Sequence, residues 1–123
     1  MSDSNRNAAP PDEQQPVPLE WRPALARAAN AFAAGNFMLE GLAGVEPASA
    51  STATQVHEYL ADYGASLVPL PEKTWDSSVC IWSGHHWDVL VDLCTQEEGP
   101  SDLMMHAHVG PSGIVSVHAV YVP

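Results

Sequence analysis

The apolar period of this chain changes once, near Ala65, and that change limits its folds more than any other feature. Upstream, Trp21, Leu25, Ala28 and Phe32 recur at helical spacing. Pro23 is tolerated in a first helical turn, and Gly35 can close the helix in a left-handed conformation. The spacing predicts a helix over residues 21–34. Thr52 with Gln55 reads as a capping box, followed by Val56, Tyr59, Leu60 and Tyr63 on one stripe and by Gly64 as a stop. Residues 36–50 carry Gly41 and Gly44 and predict a turn and a loop. Downstream of Ala65 the apolar period changes from helix to strand, in short runs separated by polar and turn residues. The pattern predicts an extended piece over 66–70 and strands over 77–83, 86–95, 101–109 and 113–122. Helices first and strands after give an α+β fold: two N-terminal helices packed on one face of a twisted antiparallel β-meander of four to five strands.

With 123 residues the chain has room for one domain. Its first 19 residues hold Pro10, Pro11, Pro16 and Pro18 among Ser, Asn and Gln, which predicts a disordered arm ahead of a domain over 20–123. Fifteen acids against four Lys and Arg give a net charge of -11. Four bases cannot neutralise a row of phosphates, and an anionic membrane attracts basic segments, so the expected partners are neither nucleic acid nor membrane. No apolar run reaches the ~18 residues of a membrane span and no signal peptide is visible, so the expected compartment is the cytoplasm. Cys80 and Cys94 are expected as reduced thiols.

The strand pattern locates the candidate chemistry. Pro111-Ser112-Gly113 suits a three-residue hairpin loop, which pairs His108 with Ser116 and His106 with His118. Leu103, Met105, Ala107, Val109, Val115, Val117, Ala119 and Tyr121 then share the core face. His106, His108 and His118 share the outer face, close enough to hold a divalent metal. For the hairpin over 77–95, an even-sum register gives the cleaner core, with Val79 and Ile81 inside and Cys80 and Trp82 outside. A two-residue Gly84-His85 turn instead gives an odd-sum register and sets Trp82 beside Trp87. In the preferred register an acidic and aromatic outer surface is formed by Trp82, His86, Asp88, Asp92, Glu97, Glu98 and Asp102, with no Lys or Arg from Thr74 onward. Such a surface suits a basic partner. Met104, Ile114, Val120 and Val122 would make the same face half apolar, as a homodimer contact needs.

Trp87-Asp88-Val89-Leu90-Val91-Asp92-Leu93, then Glu97-Glu98-Gly99 with Ser101-Asp102-Leu103, and the closing Val120-Tyr121-Val122-Pro123 resemble a family of small uncharacterised bacterial proteins, a domain of unknown function. The resemblance runs from the first helix to the end and implies no activity or site residues. The layout is also similar to the cystatin-like and SnoaL-like folds, through Ala33-Ala34-Gly35-Asn36-Phe37 after the first helix. That class holds enzymes and binding modules alike.

No nucleophile elbow, phosphate loop or HExxH motif is present, so no catalytic residue is assigned. The first expectation is therefore a non-enzymatic interaction protein without a cofactor, binding a basic protein through the outer sheet face. An immunity-type protein is one concrete form. The alternatives are a SnoaL-like small-molecule protein or enzyme with His and Asp as acid and base, and a metal-binding protein using His106, His108 and His118.

Overall fold

The computed structural model describes residues 13–123. The chain runs β1 (Gln14–Pro16), α1 (Arg22–Ala33), α2 (Ala50–Tyr63), β2 (Val79–Trp82), β3 (Trp87–Thr95), β4 (Gly99–Val109) and β5 (Val115–Tyr121). The fold is α+β, with two helices and one five-stranded antiparallel sheet in the order β1-β2-β3-β4-β5. Leu25, Ala28, Ala29 and Phe32 of α1, Val56 of α2, and Val89, Val91, Leu93, Leu103, Met105, Ala107, Val109, Val115, Val117 and Val120 of the strands are buried in a single core.

Both helices form where the apolar spacing places them, but α2 begins earlier than a cap at Thr52 would allow. Its N-cap is Ser49, whose Oγ accepts the Thr52 N–H at 3.1 Å. Gln55 is thereby free for a different task. Its Nε2 donates to the Val120 carbonyl at 2.8 Å and its Oε1 accepts the Val120 N–H at 3.1 Å, so α2 grips the backbone of β5. Gly64 closes α2 at φ 80°, a conformation glycine adopts without a Cβ clash.

Part of the segment expected as a disordered arm over 1–19 is structured. Residues 1–12 lie outside the described residues, whereas Gln14–Pro16 pair with Val79–Ile81 and Val17 is buried. The physical reason is position. β1 is an edge strand, where proline's missing N–H costs no ladder bond, and one apolar side chain anchors the segment. The extended piece expected over 66–70 is reduced to a bridge between Leu67 and Thr95.

Two registers differ from expectation. In the β2–β3 hairpin, Trp82 pairs with Trp87 and Val79 with Leu90, the odd-sum arrangement. Val79 and Ile81 face outward, half-buried, while Cys80 is buried and Trp82 turns to the helix side. The tight turn decides this: Ser83 N–H bonds the His86 carbonyl at 2.9 Å, and Gly84 takes φ 101°. In the β4–β5 hairpin, His108 pairs with Ser116 as expected. A bulge then intervenes, and His106 lies opposite Ala119 rather than His118. The extra residue reverses the alternation beyond it. Val120 is therefore fully buried, while Ala119 and Tyr121 are half-buried opposite the outward His106 and Met104. The apolar outer patch expected for a homodimer loses Val120 by the same slip.

Among the described residues, no helix is long and apolar enough to cross a membrane. Cys80 and Cys94 are free thiols and both are buried. Burial pushes the Cys80 thiol up to about 11, and raises that of Cys94, helped by the charge of Asp92.

Candidate functional site

β3 and β4 are antiparallel neighbours with Asp88 paired to His108 and Leu90 to His106. Directly paired residues point to the same face, so Asp88, His106 and His108 project together on the side away from the core. His86, two residues before Asp88 at the end of the Gly84 turn, joins them. The β5 bulge brings in His118 despite the lost pairing with His106.

These five side chains form one cluster. Asp88 Oδ1 stands 3.3 Å from His86 Nε2, 3.1 Å from His106 Nε2 and 3.0 Å from His108 Nε2. Of the three, only His106 meets the angular requirement of a hydrogen bond to that oxygen. The rings of His86 and His118 lie on either side of His108, each with its centroid 3.8 Å away. His118 Nε2 reaches the Ser116 hydroxyl at 3.4 Å. The four residues other than His118 are half-buried.

The electrostatics follow from this crowding. Burial drives the His108 imidazolium down to about 4, and the rings of His118 and His86 push the same way against the attraction of Asp88. His118, exposed as a whole residue, is lowered by partial burial and by His106 and His86. For Asp88, partial burial acts to raise the carboxyl. The hydrogen bond from His106 and the charges of His106, His108 and His86 outweigh it and hold the group below the usual carboxylate range. Near neutral pH the cluster is thus a carboxylate facing an uncharged His108, the protonation states metal ligands need.

Ligating atoms of His86, Asp88 and His108 all lie within 4.8 Å of one another. The structure therefore gathers a set that overlaps the sequence-derived triad only at His108. His106 bonds the same Asp88 oxygen, and the His118 ring lies tilted by 33° against that of His108. One signal for this grouping was present in the sequence: His86-x-Asp88 and His106-x-His108 are i, i+2 pairs, which point to the same face of a strand.

Of the other residues expected at an outer acidic surface, Asp92 keeps the outward alternation of Asp88, and Glu97, Glu98 and Asp102 are exposed. Trp82 lies on the helix side, where its ring centroid is 5.4 Å from that of Trp87. Asp92 accepts a hydrogen bond from the Ser77 hydroxyl through Oδ2. Glu97 accepts the Ser66 N–H, and Glu98 accepts from the Tyr63 and Thr95 hydroxyls. Asp102, exposed, lies near the same Tyr63 hydroxyl. These acids fasten loops and the end of α2, while Asp88 joins the histidines.

Comparison with the curated proteins returns no match, and comparison with the solved structures returns none either. The family match spans residues 29–123, from the middle of α1 to the last residue, and so takes in the whole histidine cluster. On that match the chain belongs to the family described as Domain of unknown function (DUF7668).

Proposed function

We propose that the protein binds one divalent first-row transition metal on the outer face of its sheet, with His86, Asp88 and His108 as ligands. One observation carries this reading: three imidazole nitrogens crowd a single carboxylate oxygen, and only one of them is oriented as a hydrogen-bond donor. A carboxylate oxygen has two lone pairs, so three donors are more than it can use. Two donor atoms each ~2.1 Å from a shared ion stand ~3.0 Å apart at a right angle and ~3.4 Å apart at a tetrahedral angle. The observed 3.0 and 3.3 Å separations from His108 and His86 fall in that interval.

Each remaining part has a role in this reading. His106 donates to Asp88 and holds the carboxylate in place, the outer partner that metal sites commonly require. His118 lies against His108 at 3.8 Å between ring centroids, tilted by 33°, and limits the rotation of its ring. Two imidazoles and one carboxylate suit Zn²⁺, Fe²⁺, Mn²⁺ or Co²⁺ better than Mg²⁺ or Ca²⁺, which prefer oxygen. Three protein ligands on an open face leave positions for water or an exchanging ligand, as catalytic sites do and four-ligand structural sites do not. A metal there would polarise a bound water or carbonyl.

The test uses untagged full-length protein stripped with chelator, dialysed separately against Zn²⁺, Mn²⁺ and Fe²⁺, and assayed by elemental analysis. The expected result is one ion per chain for at least one metal. Asp88→Asn and His108→Ala should abolish retention, and His106→Ala should weaken it about 10–100-fold. No retention of any of the three, or retention unchanged in Asp88→Asn, overturns the proposal.

A further inference from the structure

At one end of the sheet, Trp21, Trp82 and Trp87 line an open recess of about 600 Å³, together with Glu20 and the turn Gly110–Gly113. The three indoles are half-buried and mutually tilted. Trp87 stands between the other two, 5.9 Å from Trp21 and 5.4 Å from Trp82 by ring centroid, at 56° and 55°. The recess follows from the odd-sum register, which turns Trp82 toward Trp87 and the start of α1. Among the described residues no Lys or Arg lines it, and the nearby Arg22 is committed elsewhere, with its Nε on the Val17 carbonyl and its guanidinium over Trp75.

We infer that this recess receives the arginine side chain of a basic protein partner. Tilted indole faces present negative quadrupole surfaces, which attract a cation laid across them. A guanidinium is flat and weakly hydrated, so it stacks on an indole more readily than a lysine ammonium does. Glu20, exposed at the same opening, supplies the carboxylate for its N–H groups. The chain's net charge of -11 draws basic partners to it. The wide mouth favours a side chain carried by a macromolecule, because a small ligand would need walls burying most of its surface. This contact is separate from the metal cluster and does not depend on it.

The experiment follows the indole N–H resonances of the full-length protein by NMR during titration with an acetylated Gly-Gly-Arg-Gly-Gly peptide amide. Matched peptides carry citrulline or lysine in place of arginine. The inference predicts saturable shifts of the Trp21, Trp82 and Trp87 resonances with arginine, none with citrulline, and weaker binding of lysine. Trp82→Leu should abolish the response, and Glu20→Gln should weaken binding about threefold while leaving the rest of the spectrum unchanged. Three results would each overturn it: no saturable shift with arginine, an equal response to citrulline, or a Glu20→Gln titration superimposable on wild type. Glu20 is exposed, so its substitution tests the contact even if Trp82→Leu disturbs the fold.

Discussion

Replacing Gln55 with alanine should destabilise the protein by about 2–3 kcal/mol. Its side-chain amide makes two hydrogen bonds to the backbone of Val120, 65 positions away, at 2.8 and 3.1 Å. Each such bond contributes about 1 kcal/mol net, and a partly buried backbone group left without a partner adds to the loss. Val120 itself is fully buried just past the β5 bulge, so water cannot easily replace the amide. For a domain of this size the loss corresponds to a fall in Tm of roughly 10 °C. Urea denaturation at pH 7.5 measures the free energy, and amide hydrogen exchange measures the same contact locally. The Val120 N–H should exchange faster in Gln55→Ala, because Gln55 holds β5 beyond its bulge. A change below about 0.5 kcal/mol with Val120 protection intact would refute the reasoning.

Two further predictions concern ionisation. The metal-free protein should lose about 1–3 kcal/mol as pH falls from about 6.5 to about 4, measured by urea denaturation in chelator. His108 is held down near 4 in the fold, so over that window the unfolded chain takes up a proton that the folded chain refuses. Below it, the lowered carboxyl of Asp88 continues the loss as it becomes protonated. Stability that is flat between pH 7 and 4.5 contradicts this. Cys80, fully buried and with its thiol raised to about 11, should react with iodoacetamide at pH 8 at least about 100-fold more slowly in native protein than in denaturant, and comparable rates would contradict the burial.

The sequence carried the helices and the strand-rich second half because their apolar residues recur at one clear period each. Register was less legible. In β2, Val79 and Ile81 compete with Cys80 and Trp82 for the core, and both pairs are apolar, so core hydrophobicity separates the registers only weakly and points to the even-sum one. The choice rests on a two-residue turn at Gly84 and His85. In β5, Val120, Tyr121 and Val122 are all apolar, which conceals the reversal that the bulge imposes. β1 was hidden by Pro16 and the nearby Pro18, since proline is excluded from a central strand and permitted at an edge.

The candidate site was half legible for the same reason. A hairpin loop placed His106, His108 and His118 on one face, and that placement stands. What joined Asp88 and His86 to them was the β3–β4 register, which passes through an irregularity between Asp92 and Cys94. Ser101 maintains that irregularity by donating to the Leu93 carbonyl at 2.7 Å and accepting the Leu103 N–H at 3.1 Å. No turn rule fixes such a register in advance. The outer acidic surface follows from strand alternation and the loop after β3, and the structure adds that Asp92, Glu97 and Glu98 also accept hydrogen bonds from Ser77, Ser66 and Tyr63.

X-ray absorption at the metal edge, combined with anomalous scattering from crystals of the loaded protein, tests the metal centre most directly. The account predicts one ion per chain, ~2.0–2.2 Å from a nitrogen of His86, a nitrogen of His108 and an oxygen of Asp88. His106 should remain hydrogen-bonded to Asp88 without reaching the ion. An ion bound only by His106, His108 and His118, or no ion between β3 and β4 at saturating metal, would contradict it.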